Sequence, residues 1–226
     1  MTGGHAAPRR IRVAGSSRNG RTGARDYTRP VANPPGPQAV QVGVLLARQP
    51  HDLGEWLADG AAFDAAGAAA LWIDVVAAPA RDPLTLAAAL AAVTARSLLV
   101  ATVPAAEPAG THGNTLATIG RLSRGRLRIV TDSTPRGGTD AGHGIAAFRR
   151  VPGQPDTYEH TGRPDQTERW VAAPSPSSRA HWQTTLAEAA GQGIHGLLVP
   201  ADPRLLDLLR NPDDPGPRRD LQLAQG

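Results

Sequence analysis

Short apolar segments of strand length alternate with helical segments from Ala39 to Val130. The stretch "LATIGRLSRGRLRIV" runs from a predicted helix into a predicted strand, with only Ser123, Arg124 and Gly125 between them. Strands that alternate with helices need crossover connections, which make the strands parallel within one sheet. A tight connection from helix to strand lies on the amino-terminal side of such a sheet, so ligands are expected at the opposite side, where the strands end.

The first predicted strand is "AVQVGVLLA", a continuous apolar run typical of a strand that is covered on both faces. Asp52 is the predicted N-cap of the helix that follows, and Gly67 is its predicted stop. Asp82 and Pro83 mark the start of a second helix, because proline at the first helical position loses no hydrogen bond. Further segments continue the pattern: "ALWIDVV" and "LLVATVP" as strands, "GNTLATIGRLSRG" as a helix and "RLRIV" as a fourth strand.

The second half departs from this rhythm. Residues 133–170 are predicted to form an irregular insertion, and the alternation after Phe148 indicates a short antiparallel hairpin within it. The α/β pattern then returns with a helix capped by Ser177 or Ser178, the strand "IHGLLVP", and a last helix begun by Asp202. The predicted α/β domain therefore spans residues 38–212.

Basic charge is concentrated at the amino terminus. Residues 1–36 hold seven Arg and one Asp, whereas the rest of the chain holds seventeen Arg and nineteen acidic residues. Segment 1–37 is predicted to be a disordered tail, and 213–226 a second tail. The alternative is an arm that contacts phosphate or a partner through its arginines. Because the basicity belongs to the tail, nucleic-acid binding by the domain is disfavoured.

The absence of two residue types excludes several kinds of chemistry. All 24 basic residues are Arg, so a Schiff-base lysine, a lysine general base and the P-loop lysine are excluded. The chain has no Cys, which removes disulfides, thiolate catalysis and Cys-ligated metals. No apolar run reaches eighteen residues, and the first thirty residues lack an apolar signal core, so we expect a cytoplasmic protein that does not enter a membrane.

Several stretches resemble the luciferase-like monooxygenase family of flavin-dependent TIM barrels. They are "AFDAAGAAALWID", "DPLTLAAALAAVTARSLLVATV", "LATIGRLSRGRLRIV" and "HWQTTLAEAAGQGIHGLLVP". The resemblance covers roughly residues 40–132 and 177–210 and implies a parallel (β/α) barrel that acts with FMN or F420 on a small-molecule substrate. We therefore predict an α/β fold of this TIM-barrel type, incomplete or remodelled in its second half.

The sequence also departs from that family. The strand corresponding to "LWID" is commonly followed there by an acid–His pair, whereas Val75 and Val76 occupy those positions here. About 190 residues follow the tail, but a full eight-unit barrel takes about 250. A barrel that lacks units would leave open strand edges, which can pair with another chain, for example in a homodimer.

Five polar residues follow or end the predicted strands, on the side where ligands are expected. Asp74 and His112 are the catalytic candidates, and Thr102, Thr131 and Asp132 are candidates for cofactor binding. The carboxylates have capping a loop or helix as their alternative role. The alternative for His112 is a solvated residue at a helix start.

The remaining motifs provide little evidence for a function. The glycines of "GQGIHG" follow a helix and precede a strand, which is the wrong order for a dinucleotide-binding turn. No two of the seven His have H-x-H or H-x-x-x-H spacing, so no metal site is predicted. Trp56, Trp72 and Trp182 are predicted core residues, whereas Trp170 is a candidate to cover a pocket.

Two functions follow as hypotheses. The first is a flavin-dependent monooxygenase or oxidoreductase, in which the protein seats the flavin and excludes water. The second is a catalytically inactive barrel remnant that serves as a binding or oligomerisation module, which the missing units favour.

Overall fold

The computed structural model describes residues 39–46, 52–73, 82–102, 112–131, 145–163 and 166–212. The chain divides into two units, 1–36 and 37–226, and every described residue belongs to the second. The two predicted tails, 1–37 and 213–226, lie outside the described residues.

Eight strands form a closed barrel in which each strand pairs with its neighbours in sequence and the last pairs with the first. The strands are Gln41–Leu46 (β1), Ala70–Ile73 (β2), Leu98–Thr102 (β3), Leu127–Thr131 (β4), Ala147–Val151 (β5), Gln154–Arg163 (β6), Gln166–Ala172 (β7) and Gly196–Pro200 (β8). The described helices are Leu53–Ala65 (α1), Pro83–Val93 (α2), Gly113–Leu122 (α3), Arg179–Gly191 (α4) and Pro203–Arg210 (α5). The predicted α/β class is confirmed.

Strand direction is mixed. Strands β1 to β5 pair in parallel, as do β7 with β8 and β8 with β1, so the prediction of parallel strands from Ala39 to Val130 is confirmed. Strand β6 pairs antiparallel with both β5 and β7. The expectation of open strand edges is wrong, because β8 closes the sheet onto β1.

The predicted helix starts agree with the structure. The carboxylates of Asp52 and Asp82 each accept hydrogen bonds from two backbone N–H groups in the first turn of their helices. Ser178 caps α4, and Asp202 caps α5, in the same way with one hydrogen bond each. Gly67 follows the end of α1 with a φ of 92°, a conformation that side chains rarely adopt. None of the described helices combines the length and apolar character needed to cross a membrane.

The described part of the sequence assigned to an irregular insertion forms β5, β6 and β7, and these strands include the expected antiparallel pairing. A two-residue turn joins β5 to β6, with Pro152 followed by Gly153 at a φ of 74°, the pattern of a type II turn. Several outward side chains of these strands are polar: Arg149 forms an ion pair with Glu159, and Arg169 donates a hydrogen bond to Gln154. An antiparallel segment with a polar outer face can remain exposed to water without helix cover.

The hydrophobic core has two parts that the barrel wall separates. Alternate residues of β1 to β4, among them Val44, Leu71 and Leu99, face outward and pack with the helices. The inward residues form a second cluster around Trp72, Val100, Val130, Phe148, Trp170 and Leu198. Both faces of these parallel strands are thus buried, which explains their uninterrupted apolar sequence.

Trp170 fills the centre of the barrel and has no exposed surface. It packs beside two strands that carry glycine at the contact: a Cβ atom on Gly196 would lie 2.3 Å from its indole ring, and one on Gly43 would lie 3.0 Å from it. Phe148 meets the same indole edge to face, with ring centroids 5.6 Å apart. The prediction that Trp170 covers a pocket is wrong, because the alternation of β7 turns this side chain into the barrel interior.

A hydrogen-bond network fixes the loops at the amino-terminal side of the barrel. The buried Asp64 carboxylate accepts hydrogen bonds from the backbone N–H groups of Ala95, Arg96 and Ser97, at 2.9, 2.9 and 2.6 Å. Burial raises the pKa of Asp64, but these hydrogen bonds stabilise the carboxylate and together lower its pKa below the ordinary value of 3.8.

Arg126 continues this network in the loop between α3 and β4. Its guanidinium donates hydrogen bonds to the carbonyl oxygens of Thr94, Ser97 and Ser123, at 2.8, 2.8 and 2.9 Å. The loop itself turns through Arg124 and Gly125, which both have positive φ. The motif "GRLSRGRLRIV" is therefore a structural device that joins three consecutive αβ units.

We expect Asp64→Asn to lower the free energy of unfolding by about 1–3 kcal/mol at pH 7, because at least one buried N–H group loses its acceptor. Urea unfolding measures this change. Because folding lowers the pKa of Asp64, its carboxylate stabilises the fold fully above pH 3.8, and this stabilisation is lost as the pH falls through the folded pKa. The stabilities of the wild type and the variant should therefore converge in acid. Asp59→Asn, at an exposed position of the same helix, is the control and should change little at either pH.

We expect Gly196→Ala to lower the free energy of unfolding by about 3 kcal/mol, at the upper end for overpacking, because the enclosed Trp170 ring has no room to move away. Thermal or urea unfolding measures the change. Gly120→Ala is the matched control: nothing lies within 4 Å of its new Cβ, and the residue is helical, so a gain of about 0.5–1 kcal/mol is expected. Equal stabilities of the two variants would contradict this account of the interior.

Candidate functional site

The barrel brings two of the predicted cofactor residues to adjacent strand ends. Thr102 is the last residue of β3 and Thr131 the last of β4, and Thr102 pairs with Val130, directly before Thr131. Thr102 is half-buried and shares its strand face with Leu98 and Val100, which line the barrel interior. Its hydroxyl therefore lies on the interior side of the rim formed by the carboxyl ends of the parallel strands, here called the mouth.

His112 occupies the residue directly before α3. It is half-buried, and its backbone carbonyl accepts a hydrogen bond from Leu116, while its side chain does not cap the helix. Because α3 follows β3 and returns toward the start of β4, the helix begins on the same side of the barrel as the mouth. The structure thus places His112 on the predicted side and gives its ring no capping role.

The remaining predicted residues, Asp74 and Asp132, lie outside the described residues, as do Val75 and Val76. In the sequence, Asp74 directly follows β2 and Asp132 directly follows β4. Their roles stay predictions.

Three further residues beneath the mouth were not predicted to be site residues. Trp72 of β2 and Tyr158 of β6 have ring centroids 4.7 Å apart, and the Arg150 guanidinium of β5 lies 5.7 Å from the centre of the Tyr158 ring. Arg150 and Tyr158 are paired across the hairpin, and both are half-buried. A cation and two aromatic rings therefore meet on the interior side of the barrel, near the carboxyl ends of β2 and β5.

A second polar group lies inside the barrel toward the opposite end. Arg128 is near the start of β4, Glu168 is near the start of β7, and His160 pairs with Glu168 from the reversed strand β6. We call these three residues the floor cluster. The His160 Nδ1 atom lies 3.7 Å from the Glu168 carboxylate, and its ring stacks on Phe148 with centroids 4.7 Å apart.

Burial controls the electrostatics of the floor cluster. Burial and the nearby Arg128 lower the pKa of His160 below its ordinary value of 6.5, and Glu168 opposes them. Burial also lowers the pKa of Arg128, again against Glu168. At neutral pH the imidazole is therefore uncharged, and the charges of Arg128 and Glu168 balance.

The aromatic centre separates the two polar groups. Trp170, Phe148 and Trp72 fill the middle of the barrel, and each is at most 2% exposed. The interior is thus a packed core, and a ligand at the mouth would rest above it. Within the described ranges, no three His, Asp or Glu side chains are grouped as metal ligands.

Sequence comparisons assign no relative to this chain. No protein-family model matches it, and no curated protein matches it.

Proposed function

We propose that this chain is a flavin-dependent oxidoreductase of the luciferase-like TIM-barrel type, which uses FMN or F420 on a small-molecule substrate. The observation that carries the proposal is the mouth itself. The carboxyl ends of β1 to β4 meet there in parallel, and Thr102, Arg150 and Tyr158 lie beneath it. Barrels of parallel strands place their chemistry at this end.

The residues of the mouth fit the chemistry of a flavin. Both cofactors carry a planar conjugated ring and an anionic phosphate-bearing chain. The half-buried Tyr158 ring suits the planar part, the Arg150 guanidinium suits the phosphate, and Thr102 offers a hydroxyl to a polar ring edge. A bound flavin would supply the electron-transfer chemistry that the side chains lack.

The chain itself would bind, orient and exclude water. The packed rings beneath the mouth close the barrel to solvent from below, because Trp72 and Phe148 are nearly or fully buried. His112 and Asp74 remain the proposed groups for moving a proton to or from the substrate, and Thr131 and Asp132 remain proposed cofactor contacts.

A second candidate, an inactive barrel that serves as a binding module, is favoured by one observation. A two-residue turn follows β5 at the mouth, and β6 ends at the opposite rim. Two of the eight strands therefore contribute no long loop to the mouth, where such loops usually carry catalytic and phosphate-binding residues.

Titration of the full chain with FMN and with F420, followed by cofactor fluorescence, tests the proposal. We expect saturable binding of one of them at micromolar concentration. Arg150→Gln should weaken binding about 10- to 100-fold, because a charge-assisted contact contributes about 1.5–3 kcal/mol.

Arg149→Gln is the matched control, because this neighbour lies on the outer face of the same strand in an ion pair with Glu159. It should leave cofactor affinity unchanged. Failure of both cofactors to bind at tens of micromolar would reject the flavin proposal and leave the binding module. Equal losses in the two variants would mean that the interior side of the mouth is not the site.

A further inference from the structure

His160 is a buried histidine whose ring is not satisfied by hydrogen bonds. It is 5% exposed, and neither ring nitrogen makes a hydrogen bond of normal length within the described residues, since the Glu168 carboxylate lies 3.7 Å from Nδ1. Burial of a polar atom without a hydrogen bond is unfavourable, and burial of a charge that is not fully compensated is considerably more so. The site therefore tolerates the neutral imidazole and penalises the imidazolium.

Charged groups on three neighbouring strands face this ring or lie next to it. Arg128 on β4 repels an imidazolium, and Glu168 on β7 attracts it from 3.7 Å. On β5 the cross-strand partner is the apolar Phe148, and Arg150 is the next inward residue, opposite Tyr158 of β6 itself. The Glu168 carboxylate thus already faces the Arg128 guanidinium, so it offsets only part of a further positive charge at His160.

The strand that carries His160 is also the part of the barrel with the least cover. Strand β6 is bound to the sheet through antiparallel pairing with β5 and β7. On its outer face Thr157 is buried, Glu159 is half-buried and Thr161 is exposed. Strands β1 to β4, by contrast, are buried beneath helices on their outer face. An unfavourable positive charge at His160 is therefore relieved at the lowest free-energy cost by opening the segment β5–β7 alone.

We propose that His160 makes the segment β5–β7 an acid-sensitive part of the barrel: its protonation below neutral pH releases the pairing of β6 while β1 to β4 stay closed. Above 6.5 the ring is neutral in both the closed and the open segment, so closure is complete. Below pH 6.5, His160 takes up a proton in the open segment before it does so in the closed one. The free energy that favours closure therefore decreases as the pH falls toward the lowered pKa of the closed form. Since the mouth includes Arg150 and Tyr158, opening would dismantle it.

Hydrogen exchange measured by mass spectrometry on the full chain at pH 7.5 and 5.5, corrected for the intrinsic exchange rate, tests this proposal. Peptides from β6 and β7 should lose protection about tenfold at pH 5.5, because one pH unit below the unfolded pKa shifts the equilibrium by up to that factor. Peptides from β1 to β3 should keep their protection. His160→Gln should abolish the loss, and His181→Gln, at an exposed position of α4, should retain it.

The proposal is overturned if β6 and β7 stay protected at pH 5.5, if all strands lose protection equally, or if His160→Gln keeps the wild-type loss. Should His160→Gln fail to fold, Arg128→Met provides the second variant. Removal of this positive charge should raise the pKa of His160 and reduce the loss at pH 5.5, and an unchanged loss would overturn the proposal.

Discussion

The closed barrel depends on how its interior is filled. Trp170 is large enough to reach the centre, and it fits only because the facing strands have no side chain at Gly196 and Gly43. Because the two glycines leave room for the indole ring, β7, β8 and β1 approach closely enough to pair and to close the sheet. The rest of the fold follows from closure, since the helices pack on a wall that the inner rings hold in place.

Reversal of β6 is the second determinant of this architecture. In a parallel barrel each strand is followed by a helix that covers its outer face, whereas β5, β6 and β7 are joined by short connections. Their outer face is polar, with the pair Arg149 and Glu159, and needs no helix. The same reversal carries His160 to the amino-terminal end of the barrel, beside Arg128 and Glu168. The short connections thus shorten the chain, and the reversed strand buries the titratable His160.

The two ends of the barrel have different chemistry for a physical reason. At the amino-terminal end the connections are short, and Asp64 and Arg126 satisfy their backbone groups, so polar residues there stabilise the fold. Near the mouth, the described strands carry a cation, aromatic rings and the Thr102 hydroxyl. Polar groups at the amino-terminal rim thus stabilise the fold, whereas those at the opposite rim are the ones that we propose for ligand recognition.

The sequence alone determined the elements whose cause is local. The caps Asp52, Asp82 and Asp202 and the stop at Gly67 follow from hydrogen bonding and φ within one turn, and the apolar runs of β1 to β4 follow from burial of both faces. The ends of those strands also placed Thr102 and Thr131 at one rim.

Only the tertiary structure decided the rest. Closure of the sheet, the place of Trp170 and the meeting of Tyr158 with Trp72 join residues far apart in sequence, and no local pattern specifies such contacts. The alternation of β5 to β7 indicated antiparallel strands but gave no sign that they complete a barrel. Register and closure depend on the volumes of side chains from several strands at once, so they become fixed only when all eight strands are assembled.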